Sequence, residues 1–204
     1  MILQCGRITG IMLNKAEKNR NQIVNAASKL FYRQGYEYTS FTDIASESGV
    51  PRGNFYYYFK SKEDILRAVI GTRTENFQKL LESWNAEYPT PLERLHRSLN
   101  ILQNSEPEVV QYGCPMGTLN TELGKADHPH KEDARAMFDI FRAWLVDQFE
   151  QMGRDDAEPL AMHLLARTQG ITVIAHTYND CAFIRREAEQ LHQWLDGLSV
   201  GAEQ

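Results

Sequence analysis

Cysteine is scarce in this chain of 204 residues: Cys5, Cys114 and Cys181 are widely spaced and odd in number. Such a set builds no disulfide framework and fits a reducing compartment. Long apolar runs are missing as well, since no stretch approaches the roughly 18 residues that a membrane span needs. The opening MILQCGRITGIMLNKAEKN is broken by Gln4, Arg7 and Asn14. It lacks the sustained apolar region of a signal peptide and is expected to be a frayed arm. A cytoplasmic location with no membrane partner follows by default.

Catalytic signatures are absent too. The sequence has no Gly-rich phosphate loop and no nucleophile elbow. His128 and His130 have no partner set that suits zinc. Asp155 and Asp156 fall in an expected loop, where paired carboxylates are usually solvated. These gaps exclude the common enzyme classes and leave no implied metal or cofactor.

What the chain does have is an uneven charge distribution. Its net charge of −5 argues against nucleic acid. Residues 1–62, however, carry nine Lys/Arg against four Asp/Glu, a net +5, and residues 63–204 carry thirteen against twenty-three, a net −10. A basic head on an acidic body is what a DNA-binding module fused to a different domain looks like, although chance clustering gives the same counts. The expected division is therefore residues 1–62 and residues 63–204.

Within the basic part, Lys15 to Arg33 reads as a helix, with Ile23, Ala26, Ala27, Leu30 and Phe31 at helical spacing. Gly35 is its natural stop. The stretch TSFTDIASESGVPRGNFYYYFKSKEDIL, residues 39–66, then packs three helix starts into a short span. Ser40 and Asp43 form a capping box, and Gly49 supplies the left-handed residue of a tight turn. Pro51 precedes a short helix from Arg52 to Tyr58. Ser61 and Asp64 read as a second capping box. Val50 and Phe55 can point inward with Ile44, which leaves Arg52, Asn54, Tyr56 and Tyr57 outside. This is the pattern of a helix-turn-helix reader. Arg52 suits guanine, while Gly53, Asn54 and Tyr57 lie where bases or sugars come close. Thr42, Tyr56, Tyr58, Lys60 and Lys62 are candidate phosphate and register contacts. The alternative for the tyrosines is ordinary packing.

Phe41-Thr42-Asp43-Ile44-Ala45, Gly49-Val50, Gly53 to Phe59 and Ser61-Lys62-Glu63-Asp64 resemble, segment by segment, the N-terminal signature of the TetR family of bacterial transcriptional regulators. The likeness covers roughly residues 17–68. Pro51 and Arg52 stand where serine and lysine are common, and Tyr58 where histidine is common. The resemblance implies an all-α fold: a three-helix DNA-binding domain followed by an all-helical ligand-binding and dimerisation domain. It also implies a homodimer, a palindromic operator as the DNA partner, and a small-molecule effector that releases a repressor.

The remaining chain continues as helices. Leu92 to Gln103 is one, Glu106-Pro107 reads as a break, and a kinked Gly113 to Gly117 approaches a short helix through Leu119 and Leu123. Glu132 to Met152, Leu160 to His176 and Ile184 to Leu198 follow, and Ser199 to Gln204 is expected to fray. GCPMGTLNTELG (113–124), FRAWL (141–145), RTQGITVIAHTYND (167–180) and IRREAEQLHQWL (184–195) resemble the LmrA-type subgroup. That likeness implies a four-helix dimer interface from the last two helices.

Candidate interface positions are Leu164, Thr168, Ile171, Ala175, Ile184, Ala188, Leu191 and Leu195. The same rows can equally face the protomer's own core. Candidate effector contacts are Trp84, Tyr112, Cys114, Met116, Met137, Phe141, Trp144, His163, Arg167 and Gln169, each of which also suits a plain core. Cys114 is either a small buried hydrophobe or a thiol that senses oxidants or electrophiles. A body that binds a protein partner instead of a small molecule stays open.

Overall fold

Apolar spacing sets the first helix, α1 (Lys15–Gln34), which buries Ile23, Ala26, Ala27 and Phe31 on one side. Gly35 ends it with a positive φ of 89°. The computed structural model describes residues 15–200, with side chains through residue 198. The arm before Lys15, Cys5 and the tail beyond Val200 therefore lie outside the described residues.

Ser40 caps α2 (Phe41–Ser48) as its sequence suggests: its hydroxyl accepts from the Asp43 amide, and the Asp43 carboxylate accepts from the Ser40 amide. Gly49 closes α2 in the left-handed region at φ 67°. After Pro51 comes α3 (Arg52–Tyr58) and then α4 (Lys62–Glu87). At Ser61 the structure gives only half of the expected capping box. The hydroxyl accepts from the Asp64 amide, but the Asp64 carboxylate reaches back to the Lys60 amide and out to Arg67.

Beyond α4 lie α5 (Pro91–Asn104), α6 (Glu106–Tyr112), α7 (Pro115–Lys125), α8 (Lys131–Gln151), α9 (Ala157–Tyr178) and α10 (Cys181–Val200). The architecture is all-α. Glu106-Pro107 proves to be a beginning and not only a break, because proline within the first turn needs no amide partner. Pro159 is likewise taken into the first turn of α9. Among the described residues no helix is long and apolar enough to cross a membrane.

Two cores divide these helices. The first joins Ile23, Phe31, Ile44, Val50, Phe55 and Phe59 to Ile65, Leu66, Val69 and Ile70 of α4. It also takes in Leu119 and Leu123 of α7 and Ala134 of α8. The second core holds Trp84, Leu95, Leu99, Leu145, Phe149, Leu164 and Leu191. Helix α4 thus serves both cores, giving its residues up to Ile70 to the first and Leu81 and Trp84 to the second. Helix α7 packs with the reader although it is far along the chain. Each fully buried leucine of this kind contributes about 1.5–3 kcal/mol, so α7 is firmly attached.

Candidate nucleic-acid interface and adjoining cavity

Phe55 and Phe59 anchor α3 from below, with 0% and 4% of their surface exposed. At helical spacing this turns Arg52, Gly53, Asn54, Tyr56 and Tyr57 to solvent, and all five are exposed. Tyr57 stands most clear at 86% exposure, whereas Tyr56 lies parallel to the Phe41 ring at 6.2 Å. Thr42, on the preceding helix, is exposed as well. Tyr58 differs: it is half-buried, and its hydroxyl accepts from Asn19 Nδ2 at 3.1 Å, which ties α3 to α1.

The two lysines part company. Lys60 is exposed and its ammonium folds back on the Tyr56 carbonyl. Lys62 is half-buried, donates to the Tyr36 carbonyl at 3.0 Å and sits 4.1 Å from the centre of the Tyr36 ring. Its charge is already engaged within the protein. Tyr38, in the loop between α1 and α2, is 84% exposed.

A cavity of about 520 Å³ opens among α4, α5, α6, α8, α9 and the start of α7. Of the candidate effector contacts, Cys114, Met116, Phe141 and Gln169 line it. Phe77, Leu80, Ile101, Leu102 and Val109 supply most of the rest of its apolar wall. Ser98, Thr168 and Thr172 add hydroxyl groups, and Glu108 adds a carboxylate. Tyr32 of α1 also reaches this wall and donates its hydroxyl to the Gly113 carbonyl at 2.8 Å. Burial, aided by Cys114 and Glu108, pushes the Tyr32 phenol up to about 12, so it remains a donor at physiological pH.

The other candidates sit elsewhere. Trp84 and Trp144 pack edge to face at 5.7 Å in the body core, with the Trp144 indole donating to Asn85. Met137 is buried and lines a shallower neighbouring hollow. Tyr112 packs against Tyr32, outside the lining. His163 is exposed against Trp194, and Arg167 pairs with Glu187 at 2.9 Å. Those last two lie where α9 meets α10, away from the cavity.

The candidate interface rows face inward in the protomer. Leu164, Thr168, Ile171 and Ala175 of α9 are all buried within the protomer, as are Ile184, Ala188, Leu191 and Leu195 of α10. Leu164 and Thr168 also line the cavity. The exposed apolar side of α9 carries Met162, Val173, Ile174 and Tyr178. Both faces of this helix are apolar, so spacing alone does not say which one turns inward.

A capped turn that presents a polar and aromatic helix, carried on an all-helical body, defines a helix-turn-helix DNA-binding regulator. The model of the bacterial regulatory proteins of the tetR family matches residues 23–69, from the middle of α1 into α4. The HTH-type transcriptional regulator YfiR of Bacillus subtilis (strain 168) is 40% identical over 145 residues, which span 70% of this chain and 68% of that one. The regulator LmrA of the same organism is 30% identical over 129 residues, spanning 62% of this chain and 66% of the relative. A TetR transcriptional regulator from Chloroflexus aurantiacus J-10-FL has the same fold, with a TM-score of 0.79 at 22% identity over 90% of this chain and 97% of that one. The chain belongs to the tetR family and is a transcriptional regulator, not an enzyme.

Proposed function

We propose that the protein is a dimeric repressor released from a palindromic operator by a small apolar effector. The observation that carries this reading is the joining of two sites by one helix. The first turns of α4 lie in the reader core, and Phe77 and Leu80 further along line the cavity. An effector that binds the DNA-incompetent arrangement more tightly shifts the population away from DNA; equal affinity for both arrangements shifts nothing. Arg52, Gly53, Asn54 and Tyr57 are the candidate base readers, and Thr42, Tyr56 and Lys60 the candidate phosphate contacts. Tyr58 and Lys62 fit better as groups that hold the reader together. For the second copy, the open apolar side of α9 (Met162, Val173 and Ile174) is the surface that remains available. Two-fold symmetry then sets half-sites about 34–36 Å apart, or somewhat more.

The test has two stages. A genome-wide map of bound DNA supplies the operator, and titration against small apolar compounds supplies the effector. Specific binding at palindromes, weakened by a compound whose binding is lost on filling the cavity, is the expected result. Specific binding that no compound alters favours a body that docks a protein partner. A narrower version gives Cys114 the sensing role, because the residue lines the cavity and its sulfur accepts from the Gly117 amide at 3.4 Å. Loss of operator binding on mild oxidation, abolished by Cys114→Ser, is the result this version requires.

A further inference from the structure

We propose that α7 relays the state of the cavity to the DNA reader, and that Glu122 is the positioning residue through which it does so. The proposal rests on the cavity being the effector site. It gives the signal a second connection beside the continuous α4, one that passes through the Glu122 carboxylate.

The two oxygens of the Glu122 carboxylate each receive an amide: Oε2 from Tyr36 at 3.0 Å and Oε1 from Glu37 at 2.9 Å. Both amides follow the end of α1, in the loop that leads to Ser40, the cap of α2. Hydrogen bonds to an ionised acceptor are roughly twice as strong as neutral ones, so this grip fixes the loop. The approach depends on Gly35. A Cβ built there would stand 3.1 Å from Glu122 Oε1, on a backbone at φ 89° that side-chain-bearing residues rarely adopt. Wherever the loop goes, α2 follows, and α3 follows α2 through Ile44, Val50 and Phe55.

The opposite end of α7 belongs to the cavity. Cys114, Pro115 and Met116 form its wall at the start of the helix. Glu122 lies six positions after Met116, about 9 Å along a helix axis. Leu119 and Leu123, between and beyond them, are buried in the reader core. Arg73 of α4 braces the same turn, donating to the Pro115 carbonyl at 3.2 Å while its other nitrogens hold Ser28 of α1. A molecule that displaces the first turn of α7 therefore displaces a close-packed body, and close-packed bodies move as units.

The test needs no natural effector. Met116→Trp fills the cavity from α7, and Ile101→Trp fills it independently from α5. Each is measured in the full chain against an operator duplex selected from a random library, with Glu122 present or replaced by Gln. In the wild-type background both fillings are expected to weaken operator binding by about tenfold and to speed hydrogen exchange at the Tyr36 and Glu37 amides. Glu122→Gln alone should bind the operator within about threefold of wild type, and the fillings should then lose most of their effect. Glu122→Asp, which keeps the charge but shortens the reach, is read the same way and covers the case in which the Gln variant does not fold. Equal weakening by the fillings in all backgrounds would overturn the relay and leave the cavity as effector site. Fillings that leave wild-type operator binding and exchange unchanged would overturn cavity control and the relay together.

Discussion

Lys62 holds Tyr36 twice, by a hydrogen bond from its ammonium to the Tyr36 carbonyl at 3.0 Å and by placing the same charge 4.1 Å from the ring centre. Tyr36 itself is only 2% exposed. The residue that begins α4 thus secures the loop that ends α1. In sequence, Lys62 looks like a phosphate contact whose loss lowers the salt dependence of binding. In the structure its charge serves an internal contact. Lys62→Ala is expected to lower stability by about 1–2 kcal/mol. The slope of operator affinity against salt should stay unchanged, where a lost phosphate contact would reduce it by about one. Denaturant unfolding together with a salt titration checks both parts.

Arg52 is the opposite case, exposed on the reader helix where its guanidinium can meet a base edge. Arg52→Ala should weaken operator binding by about 1–3 kcal/mol and relax preference at a single operator position, with the fold intact. Titration of an operator library checks this, and unchanged preference at every position removes Arg52 from the readout set.

The reader was legible in sequence because its determinants are local. The Ser40–Asp43 box, the left-handed Gly49 and the inward Ile44 and Phe55 all act within a few residues of one another. The body was less legible because its helices are chosen by partners far along the chain. Helix α9 is apolar on two sides, so nothing in its spacing distinguishes the inward Leu164 from the outward Ile174. His163 and Arg167 look like pocket residues for the same reason. Glu122 carries no local signal at all, since its two amide partners lie 86 and 85 residues earlier.

Gly49 should tolerate replacement poorly for a backbone reason alone. No atom lies within 4 Å of a Cβ built there, so the cost comes from φ 67° and not from a clash. Gly49→Ala is expected to lose about 1–2 kcal/mol, as an L-residue does in the left-handed region. Gly49→Asn should lose less, because asparagine visits that region more readily. Thermal unfolding of the two variants side by side checks the order.

Stability should also depend on pH through a histidine pair between α5 and α10. The rings of His96 and His192 stack at 4.9 Å, and their Nδ1 atoms lie 2.6 Å apart. One proton between those nitrogens makes a hydrogen bond; two set like charges against each other. His96 Nε2 meets Asp196 at 2.9 Å. Burial first, and the His96 charge second, hold His192 below its usual value, outweighing the opposite pull of Glu189 and Asp196. The unfolded chain then takes up a proton near the ordinary value of about 6.5, while the folded chain refuses it until lower pH. Folding is therefore favoured by His192 above that value, and the contribution is lost as pH falls from about 6.5 towards the depressed folded value. Below the folded value the loss stops growing. His192→Gln cannot take up the proton in either state, so the gap between its stability and that of the wild type should vary with pH in this window. Unfolding midpoints of both proteins measured from about pH 7.5 down to pH 5.5 check this, and a constant gap across the range rules out the His96–His192 pair as its source.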